Sequence, residues 1–248
     1  MKSFGLTDKG SVRANNQDCF IIEKCPSRSC LVVGLCDGMG GAKAGGLASQ
    51  LSNKAFVSYI YNKISGRVSR SLDYEHILRQ ACSEANGVSY EFSHFDDAFD
   101  GMGTTIVGGV VNYNGNGHII NVGDSRAYLI SRRSASIRQI TRDHSLVEEL
   151  VEAGAITAEQ ARTHPKKNVI TRALGSDPRV ECDYFAFTLQ SGDMLLLCSD
   201  GLSNIVSNLE ILECARELHE PEELCRALMS KALNRGARDN VTVVAVMR

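Results

Sequence analysis

The stretch Leu31-Val32-Val33-Gly34-Leu35-Cys36-Asp37-Gly38 decides the fold. Its first part carries no polar side chain, and it then stops at an aspartate followed by glycine. A short run that is apolar at consecutive positions reads as a strand buried on both faces. Residues 194–198 repeat the pattern, and the mostly apolar runs 118–122 and 241–246 likewise have an aspartate near one end. A sheet hidden on both faces needs a packed layer on each side of it.

Working outward, residues 19–23 form a short apolar run and Pro26-Ser27-Arg28-Ser29 has turn chemistry, so the first third reads as three strands followed by helices. Ala44, Leu47, Ala48, Leu51, Ala55, Tyr59 and Ile60 recur at helical spacing, and Ile77, Leu78, Ala81, Cys82, Ala85 and Val88 do so again. Asn53, Lys54 and Lys63 fall on the outer face of the first of these helices and read as solvated. Strands over 104–113 and 118–122 bracket Asn114-Gly115-Asn116-Gly117, a hairpin signal. Strands over 127–131 and 137–140 continue the meander. Residues 141–171 are polar, with one small apolar face of Leu146, Val147, Leu150 and Val151, and read as a surface segment. Strands over 184–189 and 194–198, helices over 208–218 and 221–233 and a last strand over 241–246 complete the chain. Strands come in hairpin-linked blocks with helices between the blocks, not in regular alternation. The expected fold is therefore α+β: a four-layer α-β-β-α sandwich of two largely antiparallel sheets flanked by helices, in one domain over residues 1–248.

With 27 basic and 29 acidic residues the net charge is −2, which argues against a strongly basic nucleic-acid binder and a polyacidic tail. No apolar run reaches the roughly 20 residues that span a bilayer, and residues 1–8 do not read as a signal peptide. The expected setting is cytoplasmic. The 9 cysteines show no C-x-x-C pair and read as buried, reduced thiols; Cys25 and Cys30, beside the turn, read as the exposed pair, where a regulatory disulfide could form.

The chemistry is carried by the places where strands stop. Asp37, Asp124 and Asp200 each end an apolar run beside glycine or serine, Asp239 precedes the last strand, and Asp18 precedes the 19–23 run. One aspartate at a strand end is ordinarily a turn or a helix cap. Five that converge would set several negative charges at the rim of an apolar core, which is strongly disfavoured unless they are neutralised. Within these short motifs only Arg13 and Arg126 are at hand, so divalent cations are the simpler remedy. Carboxylate, carbonyl and water ligands suit Mg²⁺ or Mn²⁺ rather than Zn²⁺. A bridging aspartate with two such ions makes a hydrolytic site.

Arg13-Ala14-Asn15-Asn16-Gln17-Asp18, Asp37-Gly38-Met39-Gly40-Gly41, Gly101-Met102-Gly103-Thr104-Thr105, Asn121-Val122-Gly123-Asp124-Ser125-Arg126, Ser199-Asp200-Gly201-Leu202 and Asp239-Asn240-Val241-Thr242 follow one another along the chain. Together they resemble the ordered motif set of the metal-dependent type 2C protein serine/threonine phosphatases, over nearly the whole length. Met39, the compact length and the segment from Thr141 to Gly175 resemble the bacterial branch. The resemblance implies hydrolysis of phosphoserine and phosphothreonine in proteins by direct attack of a metal-activated water, opposing a serine/threonine kinase of the same cell. It implies that Asp37 bridges two catalytic ions, that the Gly38 carbonyl binds one, and that Asp200 and Asp239 complete the second site. Asp18 would act through metal-bound water, Asp124 with Asp200 would hold a weaker third ion, and Arg13 would bind the substrate phosphate. Residues 141–171 would be a mobile flap controlling access and the third ion. A monomer is expected.

Two positions depart from the family's eukaryotic pattern. Gln17 stands where many relatives have Glu, and Met39 stands where a proposed general-acid His would be; His144 and metal-bound water are the candidate substitutes. Rival readings are weaker. The glycines of 38–46 lack the Gly-Lys-Ser/Thr ending of a nucleotide loop, and Lys43 is not placed like its lysine. A metal-dependent phosphodiesterase would also use clustered carboxylates, but such sites usually include histidine ligands, and none of the 6 histidines lies in a metal motif. No Gly-x-Ser-x-Gly elbow is present for a serine hydrolase, and a non-catalytic phosphoprotein binder would be expected to lack Arg13 or a core aspartate.

Overall fold

The alternation hidden in the sequence becomes visible in the strand Cys30–Met39. Leu31, Val33 and Leu35 pack with Leu195, Leu197, Val244 and Val246. Cys30, Val32 and Cys36 face the other way, against Phe56, Val57, Ile60, Leu78 and Cys82. The period of two is present, but both faces are apolar because both are covered. Each fully buried Leu or Val contributes about 1.5–3 kcal/mol to this packing. The structure, a computed structural model, describes residues 1–41, 44–66 and 72–248; Lys43 lies outside the described residues.

Two sheets stack. One contains β1 (Lys2–Asp8), β7 (Arg126–Ser131), β8 (Ser136–Gln139), β10 (Met194–Cys198) and β11 (Val241–Met247), in the order β1-β11-β10-β7-β8. The other contains β2 (Asp18–Cys25), β3 (Cys30–Met39), β5 (Ile106–Asn112), β6 (Asn116–Val122) and β9 (Asp183–Thr188), in the order β2-β3-β5-β6-β9, with β4 (Gly103–Thr104) paired to β3. The pairings are antiparallel. Helices α1 (Ala44–Ser65) and α2 (Tyr74–Ser93) cover the second sheet; α6 (Asn208–Glu217) and α7 (Pro221–Asn234) cover the first. This is the expected four-layer sandwich. Between them lie α3 (Leu146–Glu152), α4 (Ala158–Thr163) and the single turn α5 (Asp200–Ser203). Neither α3 nor α4 buries a residue, in keeping with a surface segment. The unplaced strand of the first third is β1, and the 104–113 run divides into β4 and β5.

Two expectations are corrected. Asn53 is not solvated: it is fully buried, and its Nδ2 donates to the Gly34 carbonyl at 3.2 Å. Helix α1 lies so close to β3 that a Cβ on Gly34 would stand 2.1 Å from Asn53 Oδ1. The buried stripe of α1 runs through Ala48, Ser52, Phe56, Ile60 and Ile64, leaving Leu47 and Leu51 half-buried on its flank. Lys54 and Lys63 are exposed as expected. Cys25 and Cys30 are not exposed either; both are fully buried, directly opposite each other across β2 and β3. Arg28 closes that end by donating to the Ile64 and Gly66 carbonyls at 2.7 and 3.0 Å. Among the described residues no helix is long and apolar enough to cross a membrane.

Candidate active site

Antiparallel pairing forces the end of one strand beside the start of its neighbour. Asp18 at the start of β2 therefore stands opposite Asp37 near the end of β3. β6 runs in the same direction as β3, both being antiparallel to β5, so Asp124 after β6 emerges at the same end. In the other sheet the end of β10 pairs with the start of β11, which brings Asp200 beside Asp239. Arg13, Asp37, Gly38, Asp124, Asp200 and Asp239 line one cleft of about 220 Å³, and the 141–171 segment adds Asn168 and Ile170. A second cavity of about 330 Å³, between α3, α4 and the start of α6, shares Asp124 and Asp200 with it.

The backbone around Asp37 is pinned. Thr105 accepts its N–H at 3.0 Å and donates its own N–H to the Asp37 carbonyl at 2.9 Å, while Thr104 Oγ1 donates to the same carbonyl at 2.9 Å. Gly38 cannot be replaced without displacement: a Cβ there would stand 2.1 Å from the Gly45 carbonyl oxygen and 2.7 Å from that of Gln17.

Burial is the largest cause of the upward shift in each shifted carboxyl group. It pushes Asp18 and Asp124 up to about 6 and Asp200 up to about 8. Asp37 is raised well above the carboxylate range by burial and then by Asp18, Asp200, Asp124 and Asp239. Asp18 Oδ1 is buried with no hydrogen-bond partner. Arg13 Nη2 reaches Asp239 Oδ2 at 2.8 Å across the rim. Arg126 lines the adjoining cavity rather than this cleft, gripping Asp143 through Nε at 3.0 Å and Nη2 at 2.6 Å, with Gln139 donating to the same carboxylate. The carboxylates thus require either protons or cations. An all-oxygen donor set with an orphaned buried oxygen fits a hard divalent ion. Among the described residues no three acidic, histidine or cysteine side chains close on one point as a finished cage. They face the cleft from separate walls, which suits ions that keep several waters.

His144 does not line the cleft. It is buried, its Nδ1 accepts the Gly123 N–H at 3.2 Å, and its Nε2 faces Asp183 at 3.3 Å and Arg172 at 3.4 Å. Desolvation lowers its pKa. It fastens the base of the 141–171 segment to the Gly123 turn. Gln17 braces the glycine loop, donating to the Gly41 carbonyl at 3.1 Å. The sequence places Asn240 in a motif without giving it a role; it accepts the Gln17 N–H at 2.8 Å and donates to the Lys9 and Asn15 carbonyls at 2.9 and 3.0 Å. Its adjacency to Asp239 was the available signal.

The protein phosphatase 2C family model matches residues 3–241, and the chain belongs to that family. It is 36% identical over 242 residues to the serine/threonine phosphatase Stp of Listeria monocytogenes, covering 98% of this chain and 94% of the relative. Among solved structures it resembles the serine/threonine phosphatase Stp1 of Staphylococcus aureus, with TM-score 0.89 and 37% identity over 99% of this chain and 94% of that one. It also resembles the catalytic domain of the phosphatase PstP in complex with 2 manganese ions, with TM-score 0.83 and 33% identity over 98% and 96%. The chain is a metal-dependent serine/threonine protein phosphatase of bacterial type.

Proposed function

We propose that the convergent aspartates hold two Mg²⁺ or Mn²⁺ ions for hydrolysis of phosphoserine and phosphothreonine in proteins. Asp37, the Gly38 carbonyl, Asp200 and Asp239 would hold the pair, with Asp37 shared between them; Asp18 would support them from behind, and Asp124 with Asp200 would hold a weaker third ion. The observation that carries this reading is the convergence of Asp37, Asp124, Asp200 and Asp239 on one cleft, with Asp18 buried behind them. When bound, such ions lower the pKa of water toward neutrality and screen the charge of a phosphate.

The chain's own residues do the rest. Arg13, half-exposed at the rim, offers a planar fork of donors to phosphate oxygens and exchanges Asp239 for substrate. Thr104 and Thr105 hold the Asp37 backbone, so the carboxylate is oriented before substrate arrives. Asn168 and Ile170 form the flap's side of the cleft, and the cavity beneath α3 and α4 gives room for residues flanking the phosphorylated one. The phosphoprotein substrates are those written by a serine/threonine kinase of the same cell, and the working unit is a cytoplasmic monomer.

Steady-state kinetics on a phosphothreonine peptide across a Mn²⁺ titration test the assignments. Arg13→Ala raises KM about 10-fold or more, the worth of a charge-assisted contact. Asp124→Ala lowers activity while the two tighter Mn²⁺ equivalents remain in calorimetry. An unchanged KM, or loss of all Mn²⁺ binding, removes the corresponding role. A chimera carrying the 141–171 segment of a relative shifts peptide preference; identical preference would leave the flap without a selective role.

A further inference from the structure

Asp18 is held by a ring of hydrogen bonds whose direction can be worked out by counting protons. Thr242 Oγ1 and Ser199 Oγ each lie 2.7 Å from Asp18 Oδ2. An ionised carboxylate only accepts, so both hydroxyls donate. A hydroxyl has a single proton, so any further partner must donate to it. Ser199 Oγ accepts the Thr242 N–H at 2.9 Å. Thr242 Oγ1 lies 2.7 Å from Thr7 Oγ1, and with its own proton on Asp18 it accepts from Thr7. Thr7 Oγ1 accepts from Asn16 Nδ2 at 2.8 Å, and Asn16 Oδ1 accepts the Asp18 N–H at 3.1 Å. The chain of donors returns to the residue it serves.

Ser199 adds an independent sign. It stands at the N-cap of α5, where a serine hydroxyl ordinarily accepts a helix N–H, yet it makes no capping bond. Its oxygen accepts the Thr242 N–H instead, which leaves its one proton for Asp18. Both donors act on Oδ2, and Oδ1 is left buried with no partner. Asp18 cannot rotate without breaking two charge-assisted bonds at once, and chained hydrogen bonds strengthen one another.

We infer that Thr242, Ser199 and Thr7 are positioning residues which lock Asp18 by one oxygen and so reserve the other as the acceptor for a divalent cation or that cation's water. The inference rests on the reading of Asp18 as part of the ion site. Outer partners of metal-binding carboxylates typically govern affinity by 10–100-fold.

Isothermal titration with Mn²⁺ alone, without substrate, measures the effect. Thr242→Val, which keeps the shape and removes the hydroxyl, weakens Mn²⁺ binding about 10-fold or more. Thr242→Ser, which keeps the hydroxyl, stays within about 3-fold of the unsubstituted protein, a rescue that a purely packing role would not produce. Ser199→Ala weakens binding in the same direction, and Thr7→Val, one bond further away, does so less. Asp18→Asn separates the two levels. If it leaves Mn²⁺ affinity unchanged, Asp18 is no part of the ion site. If it weakens binding while Thr242→Val and Ser199→Ala do not, the positioning role alone is refuted. Should Thr242→Val fail to melt cooperatively in EDTA, the decision passes to Ser199→Ala, whose unchanged affinity would then refute the role.

Discussion

Asp37→Asn keeps the fold and lowers kcat/KM on a phosphothreonine peptide by about 10³-fold or more, a loss of about 4 kcal/mol in transition-state stabilisation. The two halves of this expectation have one cause. Asp37 is the group on which the other four carboxylates bear, and its ionised form is disfavoured by burial and by all of them. An amide of the same shape removes that charge, so the metal-free fold gains rather than loses stability. The same change takes away the carboxylate proposed to bridge two ions, so the gain in Tm on adding Mn²⁺ shrinks. Peptide kinetics with saturating Mn²⁺, beside melting curves in EDTA and in Mn²⁺, read both halves. Activity within tenfold of the unsubstituted protein would remove Asp37 from the centre of the site. A drop in the EDTA melting temperature would show that the aspartate serves the fold instead.

The sandwich and the acidic rim were legible because their signals are local. An apolar run with an aspartate at its end announces a buried strand and the group at its lip, and antiparallel hairpins then force those lips to one end. The roles of the residues that hold the aspartates were not legible, although the motifs contain them, because their contacts are remote. Ser199 and Thr242 reach Asp18 across 181 and 224 positions of sequence, and no local pattern marks a hydroxyl that forgoes its helix cap. Asn53 was misread for a related reason. A polar side chain on an amphipathic helix ordinarily faces water, but the missing side chain of Gly34 opens a slot through which Asn53 reaches the backbone of β3. The thiols of Cys25 and Cys30 were misread because a turn marked by proline and serine is ordinarily exposed; here the end of α1 lies over it, fastened by Arg28.

The stabilising effect of metal grows with pH. Without ions, the folded state raises Asp18 and Asp124 from 3.8 to about 6 and Asp200 from 3.8 to about 8. Between about pH 4 and pH 8 the folded chain therefore binds more protons at these groups than the unfolded chain does. Stability rises with pH only where the unfolded state binds more, so in this window their contribution falls as pH rises. Divalent cations occupy the role of those protons, and protons compete with them for the carboxylates. In EDTA the protein accordingly becomes less stable from pH 5 to pH 8, while in saturating Mg²⁺ or Mn²⁺ the decline is offset. The gap in Tm between the two conditions widens by at least about 3 °C over that range, equivalent to about 1 kcal/mol for a chain of this size. Asp200→Asn, which removes a carboxyl group pushed up to about 8, flattens the EDTA slope above pH 6 and narrows the gap. Calorimetry at pH 5, 6, 7 and 8 in both conditions measures it. A gap that stays constant, or an EDTA melting temperature that climbs toward pH 8, would mean that the carboxylates are neutralised by something other than protons and metal. The leading candidate would then be Arg13, already paired with Asp239 at the rim.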